Sequence, residues 1–177
     1  MNIVGLDLSL TSSGIAVIDS QMAIHTCAHG EKGHGRDSAL TRNPKVVRLA
    51  DIIAGHVLPG SFVVIEGPSY NSVSTSSWDR GGLWHMVVAA VREAGCSVSV
   101  TPPANAKMWM AGHPHAGKTL MRACAQEFTA TPLESHDEAD ALTFALMGAH
   151  HLGLIHPSGT YRDRALVGVE WGEPPAH

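Results

Sequence analysis

Ile3-Val4-Gly5-Leu6-Asp7-Leu8, then Ser9-Leu10-Thr11-Ser12-Ser13-Gly14, then Ile15-Ala16-Val17-Ile18: this stretch decides how the rest of the chain is read. The first run has the length and composition of a buried strand, yet it carries a carboxylate, Asp7, near its end. An unpaired charge is costly to take out of water, so an acid on such a strand needs something to meet. The small polar residues that follow are turn formers. The second apolar run reads as a returning strand. The unit is therefore strand, tight turn, strand, with one acid on the first strand. Taken alone, Asp7 reads equally well as a surface residue at a strand end.

The same pattern recurs at Ser61-Phe62-Val63-Val64-Ile65-Glu66-Gly67-Pro68, an apolar run closed by an acid and a break. Ligand sites in α/β sheets gather at the carboxyl ends of strands. Between the two runs, residues 22–27 predict a third strand and residues 28–44 a loop rich in Gly and His. Residues 45–57 predict a helix, with Val46, Leu49, Ile52, Ile53 and Val57 on one face. A helix over 78–94 follows. Its apolar face is Leu83, Met86, Val87, Ala90 and Val91, and it also carries Gly81, Gly82, Trp84 and Ala89, which predicts a second burial surface. Residues 96–100 make a fifth strand. Helices are expected over 104–111, over 117–128 with Leu120, Met121, Cys124 and Phe128 inward, and over 135–151. The last of these opens on a capping box, Ser135 with Glu138. Three strands, helix, strand, helix, strand, then helices specify an α/β domain built on a mixed five-stranded sheet. Residues 1–154 are expected to form that domain, and residues 155–177 a poorly structured tail.

The last helix begins His136-Asp137-Glu138-Ala139-Asp140. Asp137 and Asp140 stand three apart and share a helix face. Acids in a first turn also complement the helix dipole with no further role. Together with Asp7 and Glu66, however, they make a set of four carboxylates. Oxygen-only ligands suit Mg²⁺ or Mn²⁺, and two such ions can clamp the attacking and leaving oxygens of a phosphodiester. The net charge of -4 argues against a general affinity for nucleic acid, but two divalent ions would cancel it. Basic residues fall in two groups: Lys32, Arg36, Arg42, Lys45 and Arg48, and then Lys107, Lys118 and Arg122. The first group reads either as phosphate-facing or as a solvated loop. The 44% hydrophobic content fits a folded soluble protein. No apolar run reaches the length of a membrane span. There is no basic leader, and Cys27, Cys96 and Cys124 lack CxxC spacing, so reduced thiols in a cytoplasmic, intracellular protein are expected.

On Gly5-Leu6-Asp7, Ile65-Glu66, the helix from Gly81 to Val91 and Asp137-x-x-Asp140-Ala-Leu, the chain resembles the RuvC-type Holliday junction resolvases. The match spans Ile3 to about His150. The resemblance implies a ribonuclease-H-like fold, with helices on both faces of the sheet. It implies that Asp7, Glu66, Asp137 and Asp140 hold two Mg²⁺ (or Mn²⁺) ions per active site. Lys107 and Lys118 fall where the family has basic active-site residues, Lys118 being the one that stabilises charge on the phosphate. Tyr70 falls on the base-contacting aromatic, and Arg122 extends the phosphate-binding group. A homodimer built on the second helix is implied, with Leu83 and Val87 at its interface. The implied activity is cleavage of four-way DNA junctions by paired symmetric nicks that leave 5′-phosphate and 3′-hydroxyl ends.

Other readings compete. A broader nuclease of branched or flap DNA would use the same acids. A junction-binding module that has lost catalysis would not need all four. Sugar kinases and actin-like ATPases share the first-strand acid and turn but need two such domains. Gly112-His-Pro-His-Ala-Gly117-Lys118-Thr119 fits the P-loop pattern and would mean nucleotide binding if it joined a strand to a helix. His113, His115, His150 and His151 lack a suitably spaced cysteine for zinc. Trp78, Trp84 and Trp109 are expected to pack rather than stack on bases.

Overall fold

The computed structural model describes residues 1–31, 37–68 and 76–175. Its five strands are β1 (Ile3–Asp7), β2 (Ser13–Ile18), β3 (Ile24–His29), β4 (Phe62–Glu66) and β5 (Ser97–Thr101), in the sheet order β3-β2-β1-β4-β5. β2 runs antiparallel to both its neighbours, β1 and β3, while β4 and β5 run parallel to β1. The parallel crossovers pass through α1 (Ala39–Gly55) and α2 (Ser77–Glu93); α3 (Pro103–Ala111), α4 (Lys118–Gln126), α5 (His136–His151) and α6 (Thr160–Leu166) follow.

Strand side chains alternate between faces, and here the alternation divides two cores. Ile3, Ala16, Ile18, Phe62 and Val64 pack with α3, α4 and α5. Val4, Leu6, Ile15, Val63 and Ile65 pack with α1 and α2. The expected layering, with helices on both faces of a mixed five-stranded sheet, is what the structure has. Asp7 shares the alternation of Ile3, and Glu66 that of Phe62 and Val64, so both acids end their strands on the α5 side.

α5 comes unusually close to the sheet there. A Cβ on Gly5 would lie 1.9 Å from the Ala141 carbonyl oxygen and 2.5 Å from the Ala145 nitrogen. One on Gly14 would lie 1.9 Å from the Asp137 carbonyl oxygen. Only glycine permits backbone-to-backbone contact at these two points. The capping box is present: Ser135 accepts from the Glu138 N–H at 3.1 Å, and its hydroxyl donates to the Glu138 carboxylate at 3.3 Å. Glu138 also accepts from Thr26 of β3 at 3.0 Å, fixing the helix start against the sheet edge.

Several expectations are corrected. α1 begins at Ala39, not Lys45, and includes Pro44. Pro44 removes one helical hydrogen bond, but Ser38 caps the helix by accepting from Thr41 N–H, and Arg42 and Lys45 pair with Asp79 and Asp37, each at 2.6 Å. Arg48 pairs with Glu31 at 2.8 Å. These three cations are engaged with acids of the chain itself; Lys32 and Arg36 lie outside the described residues. Leu120 is half exposed on the outer side of α4, and Trp78 is 89% exposed rather than packed.

The stretch expected as an unstructured tail contains α6 and returns to the sheet. Asn105 donates to the carbonyls of Ala165 and Val167, and Glu170 exchanges two backbone hydrogen bonds with Val100. Trp171 stacks on His151 with centroids 3.9 Å apart. A seven-residue helix has too little periodicity to be read in sequence; tertiary contacts hold it. No helix among the described residues is long and apolar enough to cross a membrane.

Candidate active site

Asp7 and Glu66 stand at the ends of adjacent parallel strands, where their side chains share a hydrogen bond. Asp137 and Asp140 project from the first turns of α5, which the contacts at Gly5 and Gly14 press onto the same strand ends. Burial, chiefly, and then the charges of Glu66, Asp140 and Asp137, push the Asp7 carboxyl up to about 8. Glu66 and Asp140 are also raised, in each case first by burial; Asp140 adds to the shift of Glu66, and Asp137 to that of Asp140. The hydrogen bond between the two side chains raises Asp7 and lowers Glu66, against the larger effect of burial that raises both. Lys107 of α3 and Lys118 at the start of α4 oppose these shifts at both Glu66 and Asp140. The four acids and two lysines singled out in the sequence are thus one cluster.

This donor set fits a hard divalent cation. The four carboxylates offer oxygen ligands alone, and their mutual repulsion, which adds to the raised carboxyls of Asp7, Glu66 and Asp140, is what a cation would relieve.

Tyr70 lies outside the described residues. Arg122 donates to the Leu133 carbonyl, bracing the chain that leads into α5. Leu83 and Val87 are 0% exposed, buried beneath α2 in the core it shares with β1, β4 and α1. They cannot form an interface without unfolding the monomer; the face of α2 open to solvent is the opposite one, with Trp78, His85 and Ala89 exposed and Gly81 and Gly82 partly so. Nothing lies within 4 Å of where a Cβ would stand on Gly81 or Gly82.

The P-loop pattern has the wrong surroundings. Gly112 is the left-handed cap that ends α3, and Lys118 begins α4, so the segment joins two helices and not a strand to a helix. Lys118 serves the carboxylate cluster instead.

Other residues belong to the site without having been singled out. Ser12 donates to Asp137 Oδ2 at 2.5 Å; its place in the polar turn after the first acid was the available signal. Trp84 donates its indole N–H to the Glu66 carbonyl at 2.9 Å, fixing the end of β4. The Thr101 hydroxyl, on the strand next to Glu66, is buried with no hydrogen-bond partner among the described residues. His136 stands beside Asp140 and works against the rise of its carboxyl. Nothing in the sequence marks the roles of Trp84 and Thr101, because both depend on which strand lies next to β4.

Sheet order, helix placement and the convergence of acids at the ends of β1 and β4 define a ribonuclease-H-like fold. Among solved structures, the chain is similar to Thermus thermophilus RuvC, at 23% identity and a TM-score of 0.60 over 86% of this chain and 97% of that one. It is similar also to T. thermophilus RuvC in complex with Holliday junction substrate, at 23% identity and a TM-score of 0.62 over 89% of this chain and 99% of that one. No protein-family model matches the sequence, and no curated protein matches it.

Proposed function

We propose that the protein is a divalent-metal-dependent endonuclease that resolves four-way DNA junctions by paired symmetric nicks. The observation that carries this reading is the convergence of Asp7, Glu66, Asp137 and Asp140 with Lys107 and Lys118 at one end of the sheet. The fold shared with a protein solved on a Holliday junction supplies the substrate class.

The four acids would hold Mg²⁺ or Mn²⁺, two ions per site. When bound, such ions activate a water and neutralise charge building on the phosphate. The remaining work falls to the chain. Ser12 orients Asp137 through its hydrogen bond, and Trp84 fixes the backbone at Glu66. Lys118 brings an ammonium to the charge that develops on the scissile phosphate, and Lys107 holds the strand by its backbone without reading bases. Tyr70 would stack on a base opened at the branch point.

Selectivity for a junction needs two sites at a fixed spacing. A homodimer through the outer face of α2 would provide them, with Gly81 and Gly82 allowing close helix approach across a two-fold axis. A linear duplex reaches both sites only by bending, at a cost of about 1–6 kcal/mol.

The test is competitive cutting of an end-labelled four-way junction against three-way, flap and linear DNA of equal length. Symmetric nicks in the junction with Mg²⁺, none in chelator, and linear DNA cut far more slowly are expected. Equal rates on junction and linear duplex would leave a generic nuclease and end the resolvase reading. Faster cutting of flaps would favour the broader branched-DNA nuclease.

A further inference from the structure

On the other side of the sheet from the acids, three side chains with no part in the proposed cleavage come together. Cys27 and His29 stand two apart on β3, the edge strand, and so face the same way. Pairing of Cys27 with Ile15 and of His29 with Ser13 fixes both in register. His56 caps the end of α1 and reaches the same place. The Nε2 atoms of His29 and His56 are 3.0 Å apart, and the ligand atoms of all three residues lie within 4.8 Å of one another. Among the described residues no other group of three His, Cys, Asp or Glu side chains is gathered in this way.

We propose that Cys27, His29 and His56 form a zinc(II) site that ties the edge strand to the end of α1, with water as fourth ligand. The chemistry follows from the donors. One sulfur and two imidazole nitrogens suit zinc and not the hard cations expected at the carboxylates. The spacing is close to what coordination needs. Two nitrogens bound tetrahedrally at about 2.0–2.1 Å from zinc lie roughly 3.3 Å apart, and a thiolate at about 2.3 Å lies roughly 3.6 Å from each. The histidine pair is already there, and the cysteine sulfur, within 4.8 Å of both nitrogens, needs a shift of at most about 1 Å, within the reach of a χ1 adjustment on a fixed backbone. Two ring nitrogens at 3.0 Å cannot both carry a proton; one proton lies between them, and a cation replaces it. Cys27 and His29 are partly exposed and His56 is exposed, so the position is open to solvent. The bound metal would fasten an edge strand that otherwise pairs on one side only.

Cobalt(II) tests this, because only a thiolate ligand gives the sulfur-to-cobalt charge-transfer absorption in the near ultraviolet. Full-length protein in excess Mg²⁺, which saturates the carboxylates, is titrated with Co²⁺ and then with Zn²⁺. One equivalent of the band per chain, displaced by Zn²⁺, is expected. His56→Ala alters an exposed side chain and leaves the core intact; it and Cys27→Ser are each expected to lose the band and to weaken zinc binding at least about tenfold, the size of effect seen when part of a metal site is removed. Circular dichroism checks that each variant is folded. A wild type that shows no band, or an undiminished band in His56→Ala, overturns the proposal.

Discussion

The two faces of the central sheet are built from alternate residues of the same strands, yet they do different things. Behind β1 and β4 the face toward α1 and α2 is apolar: Val4 and Leu6 of β1 and Val63 and Ile65 of β4 meet Leu49, Ile53, Leu83 and Val87. The face toward α5 is apolar only in its lower part. At the upper end it exchanges side-chain bulk for two glycines, lets a helix backbone touch a strand backbone, and places four acids together. One face stabilises the chain by area removed from water. The other holds an arrangement of like charges that works against stability until positive charge arrives.

The sharpest way to break this contrast is to change one residue on each face. Leu83→Glu puts a charge into the apolar core and is expected to unfold the monomer, a loss of at least several kcal/mol read by urea denaturation. Asp7→Asn is expected to do the opposite: it raises the melting temperature of the metal-free protein at pH 8 and abolishes cutting while junction binding persists in a gel-shift assay. If Asp7→Asn cut DNA normally, the carboxylates would not be the active site.

Gly14→Ala forces α5 off the sheet by its Asp137 carbonyl. A destabilisation of about 1–3 kcal/mol with loss of cleavage is expected. Gly82→Ala, where a Cβ would meet nothing, should raise stability slightly, by up to about 1 kcal/mol of helix propensity, and weaken dimerisation in sedimentation velocity. Equal effects of the two on stability would show that the close approach at Gly14 relaxes freely.

The carboxylate face should also set the pH dependence. Asp7 has a folded value of about 8 against an ordinary 3.8. Between those values the folded chain holds a proton that the unfolded chain releases, so its stability falls as pH rises from about 4 to 8 in the absence of metal. Added Mg²⁺ should therefore raise the melting temperature more at pH 8 than at pH 5, and this difference should shrink in Asp7→Asn. A metal effect independent of pH would separate Asp7 from the cation site. Ser12→Ala is expected to slow cleavage by about 10- to 100-fold, as loss of a group that orients a ligand does, with little change in stability. Smallest of all, Arg122→Ala should lower stability by about 1 kcal/mol through the lost bond to Leu133 and leave the salt dependence of junction binding unaltered. A shallower salt slope would return Arg122 to the DNA surface.

Much of this was legible in the chain. The runs ending in Asp7 and Glu66, the capping box at Ser135 and the pair Asp137 and Asp140 are local patterns, each enforced by neighbours in sequence. The readings that failed depended on contacts distant in sequence. Leu83 and Val87 are apolar residues on an apolar helix, and sequence cannot tell an inner apolar face from an outer one when both are present. Trp78 resembles any packing tryptophan until its helix start is found facing solvent.

The sequence by itself determined the strands, most of the helices and the four acids, because a two-residue alternation and a helical repeat are properties of consecutive residues. Tertiary structure alone decided which acids meet, through Gly5 and Gly14; that Lys118 faces them from a helix rather than from a phosphate loop; and that Cys27 and His29 come to lie beside His56. Those outcomes rest on strand order and on the separation between layers, which are set by how whole faces pack and are not written in any one segment.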